Sequence, residues 1–374
     1  MPKLTTIRAT ATGLLLCSFI ISRSQGVTTP RVPSPAATVS QTVGISTIAV
    51  KYSRPSIRGR QVWGNLVPYG WNVQGFGLGN SAPWRAGANE NTVLHLSDPA
   101  TIEGHAVPAG DYGLFFTINQ DNTGEVILSK DFRSWGSFFY DETQDALRVK
   151  VKPAKHEYCE WLTYEFTARR PAEATAELQW EELAVPFGIK VENVNEIYVT
   201  KLRQELTGAA GFNPQAYDAA AQFCVKAGVH LEDALVWADL AIGSPFLGQT
   251  NFDTLSTKAL VLQKMGRDAD AGTIMQTAVH DPTATSIQIH QYGRQLLAAK
   301  KNQEALDIFK LNAERHGDAW PINVGLARGY MAVGEYKKAA EYAQKAVAQA
   351  PDPVNKKNLE AMAQTLAAGK PYDN

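Results

Sequence analysis

The chain reads as an α+β multidomain protein: an antiparallel β-sandwich of jelly-roll character followed by an all-α helical repeat domain. Three observations predict this. Residues 43–205 are built from short runs that alternate apolar and polar side chains between turn clusters, residues 212–370 change to Ala-rich amphipathic helices, and Ala271, Ala305 and Ala339 recur at a spacing of 34 residues. Alternation of period two gives each strand one inward and one solvent face, and many short strands with frequent turns predict a sandwich rather than a parallel α/β sheet.

In chain order, Lys3 and Arg8 precede an apolar run from about Ala9 to Ile21, and Ser24-Gln25-Gly26 supplies small residues for cleavage, so residues 1–26 are expected to be a secretory signal peptide. The run stops at Arg23, short of the roughly 18 apolar residues that a membrane span needs, and no later stretch is longer. Leu16 stands before Cys17 where a lipoprotein signal wants a small residue, which argues against a lipid anchor. The expected destination is extracytoplasmic, secreted or periplasmic. Residues 27–42, rich in Pro, Thr, Ser and Ala, are expected to be a flexible lead-in.

Removing residues 1–26 leaves 33 basic against 37 acidic residues, net −4, a balance that favours neither nucleic acid nor an anionic membrane. Cys159 and Cys224 then fall in different domains, so no structural disulfide is expected.

The strand grammar of 43–205 is explicit. Ile48, Val50 and Tyr52 alternate, as do Leu114, Phe116 and Ile118, then Leu147, Val149 and Val151, then Leu162, Tyr164 and Phe166. Pro108-Ala109-Gly110-Asp111 and Asp121-Asn122-Thr123-Gly124 are turn clusters between them. Six of the eight tryptophans, Trp63 to Trp180, lie in this half, enough to fill a core or line a groove. Asn213-Pro214 is a helix start. From there, Ala271, Ala305 and Ala339 each follow a polar turn and lead a helix that ends near Pro282, Gly317 or Pro351. That period, with a small residue at each tight crossing, resembles tetratricopeptide repeats, and the resemblance implies a protein partner on the repeats. The Glu232-Asp233-Ala234-Leu235 helix reads as a degenerate unit and residues 355–368 as a cap.

Four blocks in order carry a second resemblance: Tyr52-Ser53-Arg54-Pro55-Ser56-Ile57-Arg58-Gly59-Arg60, Trp84-Arg85-Ala86-Gly87-Ala88-Asn89-Glu90, Pro108-Ala109-Gly110-Asp111-Tyr112-Gly113-Leu114-Phe115 and Gly136-Ser137-Phe138-Phe139-Tyr140-Asp141. Over roughly residues 40–245 the chain resembles an uncharacterised family of secreted bacterial proteins, domain of unknown function 2911. The resemblance implies an extracytoplasmic β-rich domain with a helical tail, and it carries over no catalytic residue.

The chemistry centres on the first two blocks. An extended Arg58-Gly59-Arg60 would project two guanidinium groups from one face, with Arg54 and Arg85 beside them, and such forks bind carboxylate or phosphate bidentately. The candidate ligand-binding set is Arg54, Arg58, Arg60, Trp84, Arg85, Asn89, Glu90 and Tyr112, for an anionic or carbohydrate small ligand whose sugar faces would stack on rings. The competing account pairs the arginines internally with Glu90, Asp111 or Asp141. Glycoside hydrolysis would need two opposed carboxylates, and Glu90 with Asp141 or Glu142 are candidates by elimination. The histidines show no zinc spacing, although His95 and His105 could meet across a hairpin. No phosphate loop or nucleophile elbow is present, so no metal, cofactor or catalytic residue is assigned. Binding or scaffolding is the favoured function, with an enzyme on cell-envelope carbohydrate or peptide, or a purely structural envelope protein, as alternatives.

Overall fold

The computed structural model describes residues 33–245 and 247–372. The expected signal segment 1–26, and residues 27–32 of the expected lead-in, lie outside them. The chain divides into two compact units between Glu192 and Asn193.

The first unit holds strands β1 (Ala36–Val43), β2 (Ser46–Ser53), β3 (Asn72–Val73), β4 (Ser81–Ala82), β5 (Thr92–Leu96), β6 (Ala100–Ile102), β7 (His105–Val107), β8 (Gly110–Ile118), β9 (Gly124–Ser129), β10 (Asp145–Val151), β11 (Ala154–Arg169) and β12 (Glu173–Val191). An antiparallel six-stranded sheet runs β1-β2-β5-β8-β9-β10 and a four-stranded sheet runs β11-β12-β6-β7. The two face each other across an aromatic core. Tyr52 of β2 meets Tyr164 of β11 edge-on at 4.8 Å and Phe116 of β8 meets Phe187 of β12 at 6.0 Å. The expected alternation is realised in β2 and β11, where Ile48, Val50 and Tyr52 and then Leu162, Tyr164 and Phe166 point inward; β8 departs from it, because Phe115 and Thr117 are buried along with Leu114, Phe116 and Ile118.

Two boundaries differ from the sequence reading. Residues 36–42, expected within a flexible lead-in, form most of β1, which pairs with β2 along its full length. An edge strand draws its stability from ladder hydrogen bonds and one half-buried face, and the β-branched Thr38, Val39, Thr42 and Val43 suit that place without a strong apolar signal. At the other end, residues 194–205, expected within the sandwich domain, are helix α1 (Val194–Leu206) of the second unit, because Val199 and Leu206 pack with Ala220, Ala221 and Cys224.

The second unit continues with α2 (Pro214–Ala227), α3 (Leu231–Gly243), α4 (Phe252–Lys264), α5 (Asp268–His280), α6 (Ser286–Ala298), α7 (Asn302–His316), α8 (Trp320–Ala332), α9 (Tyr336–Ala348) and α10 (Pro353–Ala367). Helices α4, α6 and α8 begin 34 residues apart, and so do α5, α7 and α9. This is the repeating helix pair of a tetratricopeptide-like stack. Asn213, Asn251 and Thr285 cap α2, α4 and α6 by accepting from backbone N–H groups. Ala271, Ala305 and Ala339 are buried at the crossings. Phe309, 1% exposed, occupies the space left by Gly293 on α6 and Gly325 on α8, where an added Cβ at Gly325 would stand 2.6 Å from the ring. Cys159 and Cys224 are free thiols.

Candidate functional site

The site in the β unit is assembled by two loops. After β2 the chain runs beside β11, with Ile57 N–H donating to Glu160 O at 3.0 Å and Leu162 N–H to Pro55 O at 3.0 Å. It then turns: Arg58 and Gly59 have φ of 51° and 67°, and Arg60 N–H closes on Ile57 O at 3.1 Å. The expected extended Arg58-Gly59-Arg60 is therefore a turn, since two successive left-handed residues reverse a chain instead of extending it. The second loop starts at Trp84, which exchanges backbone hydrogen bonds of 2.9 Å with Phe116. Ala86 and Asn89 have φ of 53° and 60°, and Tyr164 Oη and Thr92 Oγ1 each donate to Ala86 O at 3.0 Å. These bonds determine the path of Arg85 to Asn89.

Between the loops lies a cavity of about 420 Å3, lined by Arg58, Arg60, Trp84, Arg85, Asn89 and Trp180 with Pro33, Ser34, Pro55, Leu66, Val67, Gly87 and Ala88. Trp180 of β12 lies nearly parallel to Trp84, centroids 5.9 Å apart at 16°, and Trp63 stands edge-on to both. The buried Nε1 atoms of Trp63 and Trp180 have no hydrogen-bond partner. Among the described residues no carboxylate lines the cavity, and Glu160, outside its lining, accepts from Arg58 N–H at 3.0 Å. Arg58 Nε donates to Ser56 Oγ at 3.0 Å, Arg60 to the carbonyls of Ile57 at 2.9 Å and Ser56 at 2.6 Å, and Arg85 Nη1 to Asn89 O at 2.9 Å. Arg85 also lies 5.3 Å over the Phe138 ring, and burial lowers its pKa from the ordinary value. Three cations thus face one recess beside stacked indoles, satisfied in part by neutral oxygens. The arrangement can accept an anion that also presents a flat or apolar face.

Of the eight expected residues, Arg58, Arg60, Trp84, Arg85 and Asn89 line this cavity and three do not. Arg54 turns to β11, donating to Leu162 O at 3.0 Å and Thr163 Oγ1 at 2.7 Å. Tyr112 is buried in β8 with its hydroxyl on Pro108 O at 2.9 Å. Glu90 lines a separate cavity of about 710 Å3 with His95 and Asp111. The successive left-handed turns at Ala86 and Asn89 send neighbouring side chains to different sides, which spacing along the sequence does not reveal. Trp180, counted among the six tryptophans that could line a groove but left out of the candidate set, also lines the cavity; its place in β12 beside the buried Leu178 was the available signal.

Of the acids considered from sequence as arginine partners, Asp111 and Asp141 are engaged elsewhere. The partners of Arg54, Arg60 and Arg85 are mainly backbone carbonyls, Asp111 pairs with His95 at 2.7 Å, and Asp141 caps a short 3-10 turn. His95 lies in the six-stranded sheet and His105 in the four-stranded one, so they do not share a hairpin. Among the described residues no group of three potential metal ligands occurs, and no helix is long and apolar enough to cross a membrane.

The second unit carries a groove of about 700 Å3 between α4, α5 and α6, lined by Leu260, Ala271, Met275, Tyr292 and Leu296 among apolar residues and by Asp253, Gln263, Gln291 and Gln295 among polar ones.

Fold and cavities define a two-part protein, an antiparallel sandwich with an arginine- and tryptophan-lined cavity and a tetratricopeptide-like helical stack. Residues 34–189 match the family model described as protein of unknown function (DUF2911). No curated protein matches the chain. Among solved structures, MamA (residues 41 to the end) from Desulfovibrio magneticus RS-1 is similar at 20% identity, with 42% of this chain and 90% of that chain covered and a TM-score of 0.30. YrrB, described as a TPR protein with an unusual peptide-binding site, is similar at 21% identity, covering 45% of this chain and 85% of its own, with a TM-score of 0.31. The helical-repeat assignment stands on the 34-residue spacing of α4 to α9 in this chain.

Proposed function

We propose that this is an extracytoplasmic binding and scaffold protein, in which the sandwich holds a small anionic ligand and the helical stack presents a surface to a protein partner. The observation that carries the reading is the convergence of Arg58, Arg60 and Arg85 on one cavity beside the Trp84–Trp180 stack, without a carboxylate among the described residues of its lining. An acidic sugar or an aromatic phosphate combines the required charge with a face that stacks. The signal-like residues 1–26 support export.

The test is a thermal-shift screen of the chain from residue 27 against uronic acids, peptidoglycan fragments and sugar phosphates. A ligand that binds only the native state raises Tm. The expected result is a hit that disappears in Arg58→Gln, whose exposed side chain loses a single bond to Ser56 Oγ. Absence of any hit, or a hit that Arg58→Gln and Trp84→Leu both leave intact, rejects the cavity as the site.

A second reading, a purely structural envelope protein, is favoured by the carbonyl-bound Arg54, which ties the first loop to β11, and by Arg60, which closes its own turn on Ser56 and Ile57. It predicts that arginine variants lower Tm and that no ligand raises it.

A further inference from the structure

The repeat geometry of the second unit brings two arginines together. Because α4, α6 and α8 begin at Phe252, Ser286 and Trp320, a residue and its counterpart 34 positions later occupy the same place on successive helices. Leu260, Arg294 and Arg328 form one such row, and Gln263, Leu297 and Met331 form the row beside it. Leu260 and Gln263 line the groove of about 700 Å3, and the other members of both rows line a recess of about 280 Å3 between α6 and α8. Asn302 and Ala332 close that recess, joined by a hydrogen bond of 2.8 Å from Asn302 Nδ2 to Ala332 O.

The recess is electrostatically incomplete. Arg328 is half-buried, and its Nε is shielded from solvent without a hydrogen-bond partner. The charged side chain that acts on it is Arg294, of the same sign, which adds to burial in lowering its pKa. The acids in the first two turns of the adjoining α7 are engaged elsewhere, Glu304 with Lys301 at 3.5 Å and Asp307 with Lys310 at 3.7 Å. His290, one turn before Arg294, is held neutral by burial and by both arginines, so it supplies no further charge. A planar carboxylate matches a pair of guanidinium forks and supplies the acceptors they lack. The walls beside them, Leu297, Met331 and Ala332, are apolar, which suits the methylenes of an acidic side chain better than a hydrated phosphate.

We propose that Arg294 and Arg328 bind the carboxylate of an acidic residue in an extended peptide segment of a partner protein, with a neighbouring apolar side chain of that segment lying in the groove at Leu260. The proposal rests on the helical stack being the protein-binding surface and adds its specificity.

The experiment uses the full chain and a fluorescein-labelled peptide of alternating Glu and Leu, beside one with Gln in place of Glu, read by fluorescence anisotropy. The Glu peptide is expected to bind at least about ten-fold tighter, the return from charge-assisted hydrogen bonds over neutral ones. The double variant Arg294→Gln/Arg328→Gln is expected to abolish the preference while retaining the weaker Gln peptide. Equal binding of the two peptides overturns the inference and leaves the protein-binding reading standing; no binding of either overturns both. Displacement by inorganic phosphate but not by glutarate assigns the recess to phosphate and also overturns it. Since Arg328 has no partner at Nε to lose, Arg328→Gln alone is expected to hold or raise Tm. A clear fall would mean that the guanidinium is satisfied within the fold, against the proposal.

Discussion

Acid should destabilise the helical unit through one residue, His290. Its ring packs on Phe309 at 5.6 Å, its Nδ1 is buried without a partner, and Arg328 and Arg294 add like charge, so that burial first and the arginines second push its pKa from 6.5 down to about 4. As pH falls, the unfolded chain takes up the proton before the folded one does. The stability is therefore intact above about pH 6.5 and is lost progressively toward about pH 4. Over the whole window the penalty approaches about 3.4 kcal/mol, and at about pH 5 it is about 2 kcal/mol. Because the side chain is half-buried, solvent screening reduces the figure at about pH 5 to about 1 kcal/mol. For a unit of this size, that lowers Tm by about 3 °C. The assay is urea unfolding followed by far-ultraviolet circular dichroism at about pH 7.5 and about pH 5, for the wild type and His290→Gln. The variant should start less stable, because its side chain no longer fills the space beside Phe309, yet lose about 1 kcal/mol less between the two pH values. Equal losses in both proteins, or an imidazole resonance in the folded protein titrating near its ordinary value, would refute the reasoning.

Other outcomes follow from the packing. Phe309→Ala should cost about 4 kcal/mol by chemical denaturation, since the ring fills the space left by Gly293 and Gly325. Gly325→Ala should cost about 2 kcal/mol by overpacking against that ring, and pairing it with Phe309→Leu should recover part of the loss. Arg54→Ala should cost about 2 kcal/mol and leave ligand binding unaltered, because its two bonds tie the first loop to β11 and it does not line the cavity. Burial pushes the Cys224 thiol up to about 11, so at mildly alkaline pH it should resist iodoacetamide until the helical unit unfolds, as read by mass spectrometry of the labelled peptide.

Much of the architecture was legible because its signals are local. The alternation at Ile48, Val50 and Tyr52 states which face is buried whatever the strand pairs with, and the spacing of Ala271, Ala305 and Ala339 repeats a crossing whose requirement for a small residue is the same each time. Signals weakened where stability comes from elsewhere. β1 is held by backbone hydrogen bonds to β2, which leave little trace in side-chain hydropathy. Helix α1 begins directly after β12, without a side-chain cap on its first turn.

The candidate site was half legible. Composition marked the two arginine blocks, and five of the eight chosen residues line one cavity. Which five depended on backbone turns. Left-handed conformations at Arg58, Gly59, Ala86 and Asn89 decide where each neighbouring side chain points, and non-glycine residues adopt them only when the surroundings impose them.

By itself, then, the sequence determined the two-part fold class, the strand and helix periodicities and the concentration of arginine and tryptophan, all properties of short stretches of chain. Tertiary structure alone decided that Trp180 lies against Trp84, that Arg54 serves the framework while Arg58 faces the cavity, and that Arg294 and Arg328 share a recess without an acid between them. The physical reason is distance along the chain. These neighbours are brought together by sheet pairing and helix stacking, and their energies depend on burial and on the absence of counter-charges, neither of which any local stretch of residues encodes.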